Sequence, residues 1–560
     1  IIPKTLHLKL IVKIFTIIFF FYNFEYAILF KNHLKFINMK KLLFTFIQFA
    51  FVTSIMAGTQ FYRAIYRDDP STTIDIEWCD NGASTGAMVY YDVVDHGTTY
   101  TSYTYNHGID ATTTTYSLKN EFSRITGLTP NTIYYFVIHD ASGTSARMYF
   151  KTLPNINTAT ITFAACGDSR AGTTSGGTNT DRANNCILMG KVRPDFATFN
   201  GDFVYGGSTT NWTDWFTDWQ STLGSIGHIV PIIPVKGNHE ASADIYNVFD
   251  VPTSTQYYAL QIAGNLLRIY SLNSEVGGTT AVCDATEQTW LHNDLVNYTG
   301  TANEPYWKFA QWHEPFVPHC YYSANTTLSN CWAPDFLTYN VKLCCEAHAH
   351  CTKYTWPIVQ SSSGSADHGF IRDDVNGTVY IGEGQFGAPF HTGSPIITYA
   401  WIRDAELTFY GFHLICVTKA KIDVRTLEEV NVTSVGQVAV TDPECTLPSG
   451  VTIWTPSNGS PLTLTYSGTL TDVPNNLQEN KFLKVFPVPS SDKVTISFAK
   501  LTDDAQLEIY NSLGEEVKTV PVAIGAEFKE LNIADLPIGT YNGFLKNKSG
   551  TQCCKFTRVK

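Results

Sequence analysis

Between residues 155 and 425 apolar runs alternate with amphipathic stretches. Five runs have strand length and strand composition: ATITFAA (159–165), PDFATF (194–199), IVPIIPV (229–235), YWKFA (306–310) and VKLCC (341–345). Helical periodicity marks Asp181 to Val192, Trp212 to Leu223 and Thr286 to Val296. Trp212, Trp215, Phe216 and Trp219 share one helical face, which predicts a buried stripe rather than an exposed sugar-binding platform. Residues 58–154 read differently, as short Thr-, Tyr- and Val-rich runs such as Ala87–Val94 and Thr132–His139, cut by Gly, Asn and Pro turns. That is an all-β pattern. Residues 426–480 lack a clear period and predict a linker or small β extension, whereas residues 481–560 return to β patterning.

The N-terminal stretch sets the compartment. Residues 1–38 are rich in Ile, Phe, Lys and Asn and contain no Met, and they are read as sequence upstream of the start. An anchor is the alternative, although Lys13 and Glu25 interrupt the apolar segment Ile11 to Phe30. From Met39 the order is Lys40-Lys41, an apolar stretch from Leu42 to Ile55, then Met56-Ala57-Gly58. This order predicts a secretory signal over 39–57 and no stable membrane span in the mature protein. The whole chain carries 38 basic and 50 acidic residues, a net −12. Residues 1–57 hold seven Lys and one Glu, so the remainder carries −18. An acidic balance argues against a general nucleic-acid binder, which needs a basic footprint. The thirteen cysteines of an exported chain predict some disulfides, with Cys320–Cys331 and Cys344 or Cys345 with Cys351 as neighbours in sequence. No CxxC pair occurs, which argues against a thiolate zinc site.

A polar cluster follows each of the five runs: CGDSR (166–170), NGDFVY (200–205), KGNHE (236–240), QWHEP (311–315) and EAHAH (346–350). Strand carboxyl ends are where α/β sheets gather their ligands, because the loops there converge on one crevice. Asp, Asn, Tyr and His are hard and borderline donors, suited to iron, manganese or zinc. More donors are present than one zinc ion needs, so two ions are expected. A pair about 3.5–4 Å apart can share a carboxylate and clamp both oxygens of an in-line displacement.

With these motifs in this order the chain resembles the purple acid phosphatases of the calcineurin-like metallophosphoesterase superfamily, over roughly residues 60–425. The run RITGLTPNTIYYFVIHDASGTSARMYFKTLP (124–154) resembles the end of a fibronectin type III sandwich, with Leu128, Pro130 and Tyr134 at its turn and buried Tyr. TWLHNDL (289–295) and VYIGEGQFGAP (379–389) are further family-like traces. The resemblance implies an all-β fibronectin-like sandwich over 58–154, then an α/β metallophosphoesterase sandwich of two mixed sheets flanked by helices over 155–425. It implies that Asp168, Tyr205 and His350 bind a first, ferric ion and that Asp202 bridges. Asn238, His313 and His348 would hold zinc, manganese or ferrous iron. Asn238 and His239 would meet the substrate phosphate, and a metal-bound hydroxide would attack phosphorus while His239 or His319 protonates the leaving oxygen. Arg170, which the family pattern does not supply, either pairs with a phosphate oxygen as well or lies outside the site.

Two departures stand out. Arg170 replaces the Gly that usually ends the first motif, and Ala347 replaces the Gly that usually precedes His348. The segments KVFPVPSSDKVTISF, AQLEIYNSLGEEV and LNIADLPIGTYNGFLKN resemble the sorting domain of type IX secretion, on Pro487, Asp492, Asn511, Gly514, Leu536, Gly539 and Tyr541. Val488 stands where Asn is usual, and the Cys553-Cys554 pair is unfamiliar there. This implies a small C-terminal β-sandwich over 481–560, the type IX secretion machinery as partner and an extracellular location. The expected function is a secreted acid phosphatase acting on phosphorylated small molecules. A phosphodiesterase on the same metals and a non-catalytic surface binding protein are the alternatives. Loops at Gly172–Thr180 and Cys320–Cys331 are expected to rim the pocket.

Overall fold

A computed structural model describes residues 58–82, 85–170, 179–276, 282–364, 366–458, 462–466, 483–511, 516–548 and 550–560. The expected signal segment, most of the Gly172–Thr180 loop and Gly514 lie outside them.

Two mixed sheets face each other across one apolar core. In the first, Ile161–Cys166, Phe196–Phe199 and Pro231–Pro234 run parallel at the centre. In the second, Leu267–Ser271, Trp307–Gln311, Leu343–Glu346 and Val379–Gly382 run parallel. The strands are apolar on both faces because each is covered on both sides. Phe163 of the first sheet meets Phe309 of the second edge-on, ring centres 5.4 Å apart.

The first sheet does not stop at the catalytic region. Thr59–Ile65 pairs in parallel with Pro231–Pro234, and Ile74–Asp80, Leu118–Ile125 and Ala111–Thr115 continue outward from it. These four strands face a second N-terminal sheet built on Met88–Asp92 and Ile133–Asp140. Tyr134 is buried, and its hydroxyl accepts a hydrogen bond from the Thr129 backbone, fixing the turn ahead of its strand. At the opposite edge Gly411–Val417, Lys421–Glu428, Thr452–Ile453 and Leu462–Thr465 complete the sheet.

The helices follow the periodicity. Thr180–Val192 is capped by Asn179, and Ala285–Tyr298 by Asp284. Thr209–Trp219 buries Trp212, Trp215, Phe216 and Trp219, so the aromatic stripe is core. A further helix, Thr326–Thr338, begins inside the loop expected at Cys320–Cys331. Pro334 masked its period, yet Leu328, Trp332 and Phe336 bury one face.

The disulfides differ from the neighbours suggested by sequence. Cys331 pairs with Cys283, and Cys416 with Cys445. Cys320, Cys344, Cys345 and Cys351 are free and buried. The helix carries Cys331 towards the start of Ala285–Tyr298, while Cys344 and Cys345 lie within a buried strand. The described residues between 483 and 558 form small antiparallel sheets of three and four strands around Leu507, Ile509, Leu531, Tyr541 and Phe556. Among the described residues no helix is long and apolar enough to cross a membrane.

Candidate metal centre

Each polar cluster lies just past a strand carboxyl end, and the two sheets deliver theirs to one place. Asp168 follows Ile161–Cys166, Asp202 follows Phe196–Phe199, and Asn238 follows Pro231–Pro234. His313 follows Trp307–Gln311, while His348 and His350 follow Leu343–Glu346. Asp202, His313 and His348 bring ligand atoms within 4.8 Å of one another, and so do Asp168, Asp202 and His350. Asp202 belongs to both groups. All five side chains are buried.

The loops are held in uncommon backbone. Asp168, Asp202, His348 and His350 have φ of 54°, 51°, 72° and 54°, a left-handed region that L-residues seldom occupy. Such strain gathers at functional sites. Close approach demands glycine nearby: a Cβ on Gly237 would lie 2.3 Å from the Asp202 backbone nitrogen. Glu240 ties the two loops together, accepting from the backbones of Asp202 and Gly237 at 3.1 and 2.8 Å. Trp215 donates to Ser169 from the aromatic helix. Ala347 is absent from the positive-φ residues, so its Cβ meets no such demand, and its backbone donates to the His313 carbonyl at 2.8 Å.

The donor set fits two cations. His313 Nδ1 faces the Asn200 carbonyl at 2.8 Å, which makes Nδ1 a donor and leaves Nε2 to take up an ion in place of a proton. That Nε2 lies 3.0 Å from Asn238 Oδ1, 3.2 Å from His348 Nδ1 and 3.3 Å from Asp202 Oδ1. Metal–ligand bonds of about 2.0–2.2 Å place neighbouring donors of a tetrahedral shell roughly 3.4 Å apart, so this is the spacing of ligands around one ion. His350 repeats the device, with Nδ1 on the Pro389 carbonyl and Nε2 3.3 Å from Asp168 Oδ1. Asp168 Oδ1 is buried without a hydrogen-bond partner.

The local field also calls for positive charge. Burial works to lower the pKa of His313, but Asp202, Asp168 and Glu275 outweigh it and push it up to about 9. Burial, followed by His313, drives His348 down to about 3. The carboxylates therefore hold positive charge at His313, where an ion would sit.

The other expected residues surround this core. Tyr205 is half-buried and packs against His239, ring centres 4.8 Å apart. Arg170 lies over the Tyr205 ring and 3.5 Å from Asp202 Oδ2. His239 Nε2 stands 3.7 Å from the same oxygen. His319 is not brought to the opening: it is fully buried, its Nδ1 3.1 Å from Glu383. Its place six residues after His313 gave no sign of this. Glu383 in turn meets Lys353, which also pairs with Glu346 at 2.6 Å. The histidine that does lie beside the ligands is His391, stacked on His350 at 4.3 Å. No motif marked it.

Comparisons with known proteins agree with this geometry. Residues 60–152 match the purple acid phosphatase N-terminal domain, 161–352 the calcineurin-like phosphoesterase domain, and 484–558 the secretion system C-terminal sorting domain. Among solved structures, purple acid phosphatase PPD1 from yellow lupin (Lupinus luteus) seeds aligns with TM-score 0.52 and 14% identity, over 68% of this chain and 73% of that one. PhoD aligns with TM-score 0.52 and 12% identity, over 74% and 92%. At such identities the likeness concerns the fold. No curated protein matches the chain. The chain carries a calcineurin-like phosphoesterase domain behind a purple acid phosphatase N-terminal domain, with buried His/Asp clusters suited to a binuclear metal site. Its sorting domain makes it a secreted or cell-surface protein and implies contact with the type IX secretion machinery.

Proposed function

We propose that this centre hydrolyses phosphate monoesters in mild acid. The observation that carries the reading is Asp202, one carboxylate shared by two ligand clusters. Asp168, Tyr205 and His350, with Asp202, would hold a ferric ion, because a phenolate favours that oxidation state. Asn238, His313 and His348 would hold zinc, manganese or ferrous iron. When bound, the two ions supply Lewis acidity and activate water for in-line attack.

The chain's own residues do the rest. Asp168, Asp202, His313 and His350 are buried while His239 and Tyr205 are partly exposed, so the ester would approach past these two, with Arg170 behind them. Arg170 offers a planar fork of donors to phosphoryl oxygens. His239 sits on the ligand loop with its backbone nitrogen donating to Asp202 Oδ1 at 3.1 Å, and its ring packs on Tyr205 with Nε2 3.7 Å from Asp202 Oδ2. From there Nε2 can donate a proton to the leaving oxygen. Full burial keeps His319 from that role, and its contacts with Glu383 suit it to holding the loop in place.

Metal content, a visible spectrum and turnover of a chromogenic monoester across pH, with a diester alongside, test the reading. Two metals per chain, a purple band and acid-range monoester turnover are expected. Preferential diester turnover would favour the phosphodiesterase, and absence of turnover in the metal-loaded protein the binding module. His239→Ala is expected to keep both ions while losing about 10²–10⁴ in rate; loss of metal would move His239 into the ligand set. Tyr205→Phe is expected to lose the visible phenolate-to-iron band, and an unchanged spectrum would remove Tyr205 from the ligands.

A further inference from the structure

A ladder of rings rises from the metal ligands to the surface. His391 stacks on His350 at 4.3 Å, and Tyr321 stacks on His391 at 4.5 Å with an interplanar angle of 6°. Beside them Tyr322 stacks on His348 at 4.2 Å and meets Tyr321 edge-on at 4.9 Å. Both inner ends of this wall are ligand histidines. Its outer end, Tyr321, is 66% exposed.

The backbone forces Tyr321 into that position. Its φ is +64°, and the Tyr322 backbone donates to the Cys320 carbonyl at 2.7 Å, two residues back. This is the rare γ-turn with a left-handed central residue, a strained arrangement that a bulky side chain seldom tolerates. Burial does not explain it, because the ring is mostly in solvent. The flanks instead show a turn held from outside. His319 is bound to Glu383, the Cys320 thiol donates to the Ala349 carbonyl at 2.7 Å, and the His319 carbonyl accepts from Ile396 of the segment that follows His391. A rigid, strained turn that presents an aromatic face next to a reaction centre has the features of a recognition element.

Its place indicates what it recognises. Asp168, Asp202, His313 and His350 close the inner side of the centre, so a leaving group attached to phosphorus must extend outward. Among the described residues, the rings that border the ligands on the less buried side are Tyr205 and His239, beside Asp202, and Tyr321, Tyr322 and His391, beside His348 and His350. The geometry points to Tyr321, Tyr322 and His391 as a leaving-group subsite that selects phosphate monoesters of flat aromatic alcohols over aliphatic ones. This deepens the monoesterase reading and rests on it, but the subsite can be measured without turnover.

The test is calorimetric binding of phenylphosphonate and methylphosphonate to the metal-loaded full chain, as wild type, Tyr321→Ala and Tyr321→Phe. Phenylphosphonate is expected to bind roughly three- to tenfold more tightly to wild type, the range that aromatic stacking supplies. Tyr321→Ala should abolish most of that ratio and Tyr321→Phe should keep it. Equal binding of both probes to wild type, binding of neither, or a ratio that survives Tyr321→Ala would each overturn the subsite. A ratio that disappears in Tyr321→Ala, together with no turnover of phenyl phosphate, would sustain the subsite while the monoesterase reading fails.

Discussion

Asp202→Ala is expected to lose both metal ions and nearly all hydrolysis. The carboxylate stands 3.3 Å from His313 Nε2 on one side, and on the other its ligand atom lies within 4.8 Å of those of Asp168 and His350. Losing a ligand of one ion would weaken that ion; losing this one opens both shells at once. The two ions also lose the anion that offsets their mutual repulsion. Replacing a residue that merely supports a ligand costs about 10–100-fold in affinity or activity, so the loss should exceed a hundredfold. Elemental analysis after dialysis and turnover on the same sample measure it. A variant that keeps two metals and acts at a tenth of wild-type rate or better would sink the shared-carboxylate reading. The backbone adds a second expectation: Asp202→Asn keeps the side-chain oxygen that accepts from the His239 nitrogen. It should fold normally while holding metal poorly, which separates charge from architecture.

What the sequence conveyed, and what it did not, divides along physical lines. Five strands and the clusters behind them were legible because a strand buried on both faces is mostly apolar, despite Lys308 and Lys342 here, and donors placed at its end must be polar. Asp168, Asp202, Asn238, His313, His348 and His350 all lie within four residues of such a boundary. Contacts closed between distant segments carry no such local mark. Cys283 and Cys331 are 48 residues apart, and sequence proximity favoured other partners. His391 lies beyond the last recognisable motif and reaches the centre through a stack on His350. His319 sits in a loop of ordinary composition, and its burial depends on Glu383 and Trp401 coming from elsewhere in the second sheet. Lys353 is of a residue type that is seldom buried, yet it is 1% exposed.

That buried lysine should be among the most costly positions to neutralise. Its Nζ meets Glu346 at 2.6 Å and Glu383 at 2.5 Å, and the two carboxylates also accept from the backbones of Phe316 and His319. The cluster therefore fastens the turn that presents Tyr321 to the strands that carry His348 and His350. Lys353→Met would leave both carboxylates buried without that cation, a change that costs about 3–5 kcal/mol and lowers the melting temperature by roughly 5–9 °C at about 2.1 cal/mol/K per residue. The sign with pH follows from Glu383. Burial raises its pKa, but Lys353 and then His319 outweigh this and hold it down to about 2. In the wild type its ionised form therefore adds stability above the ordinary carboxylate range, and this is lost only as pH falls through about 2. Without Lys353 the folded pKa climbs, so the variant's deficit should be largest near neutral pH and shrink towards pH 4.5, where the carboxylates take up protons. Melting of metal-free wild type and variant at both pH values measures this. A deficit of equal size at each would show that lost packing, not unpaired charge, is what the lysine contributes. Metal retention should fall together with stability, because the same carboxylates hold the segments on which the ligand histidines stand.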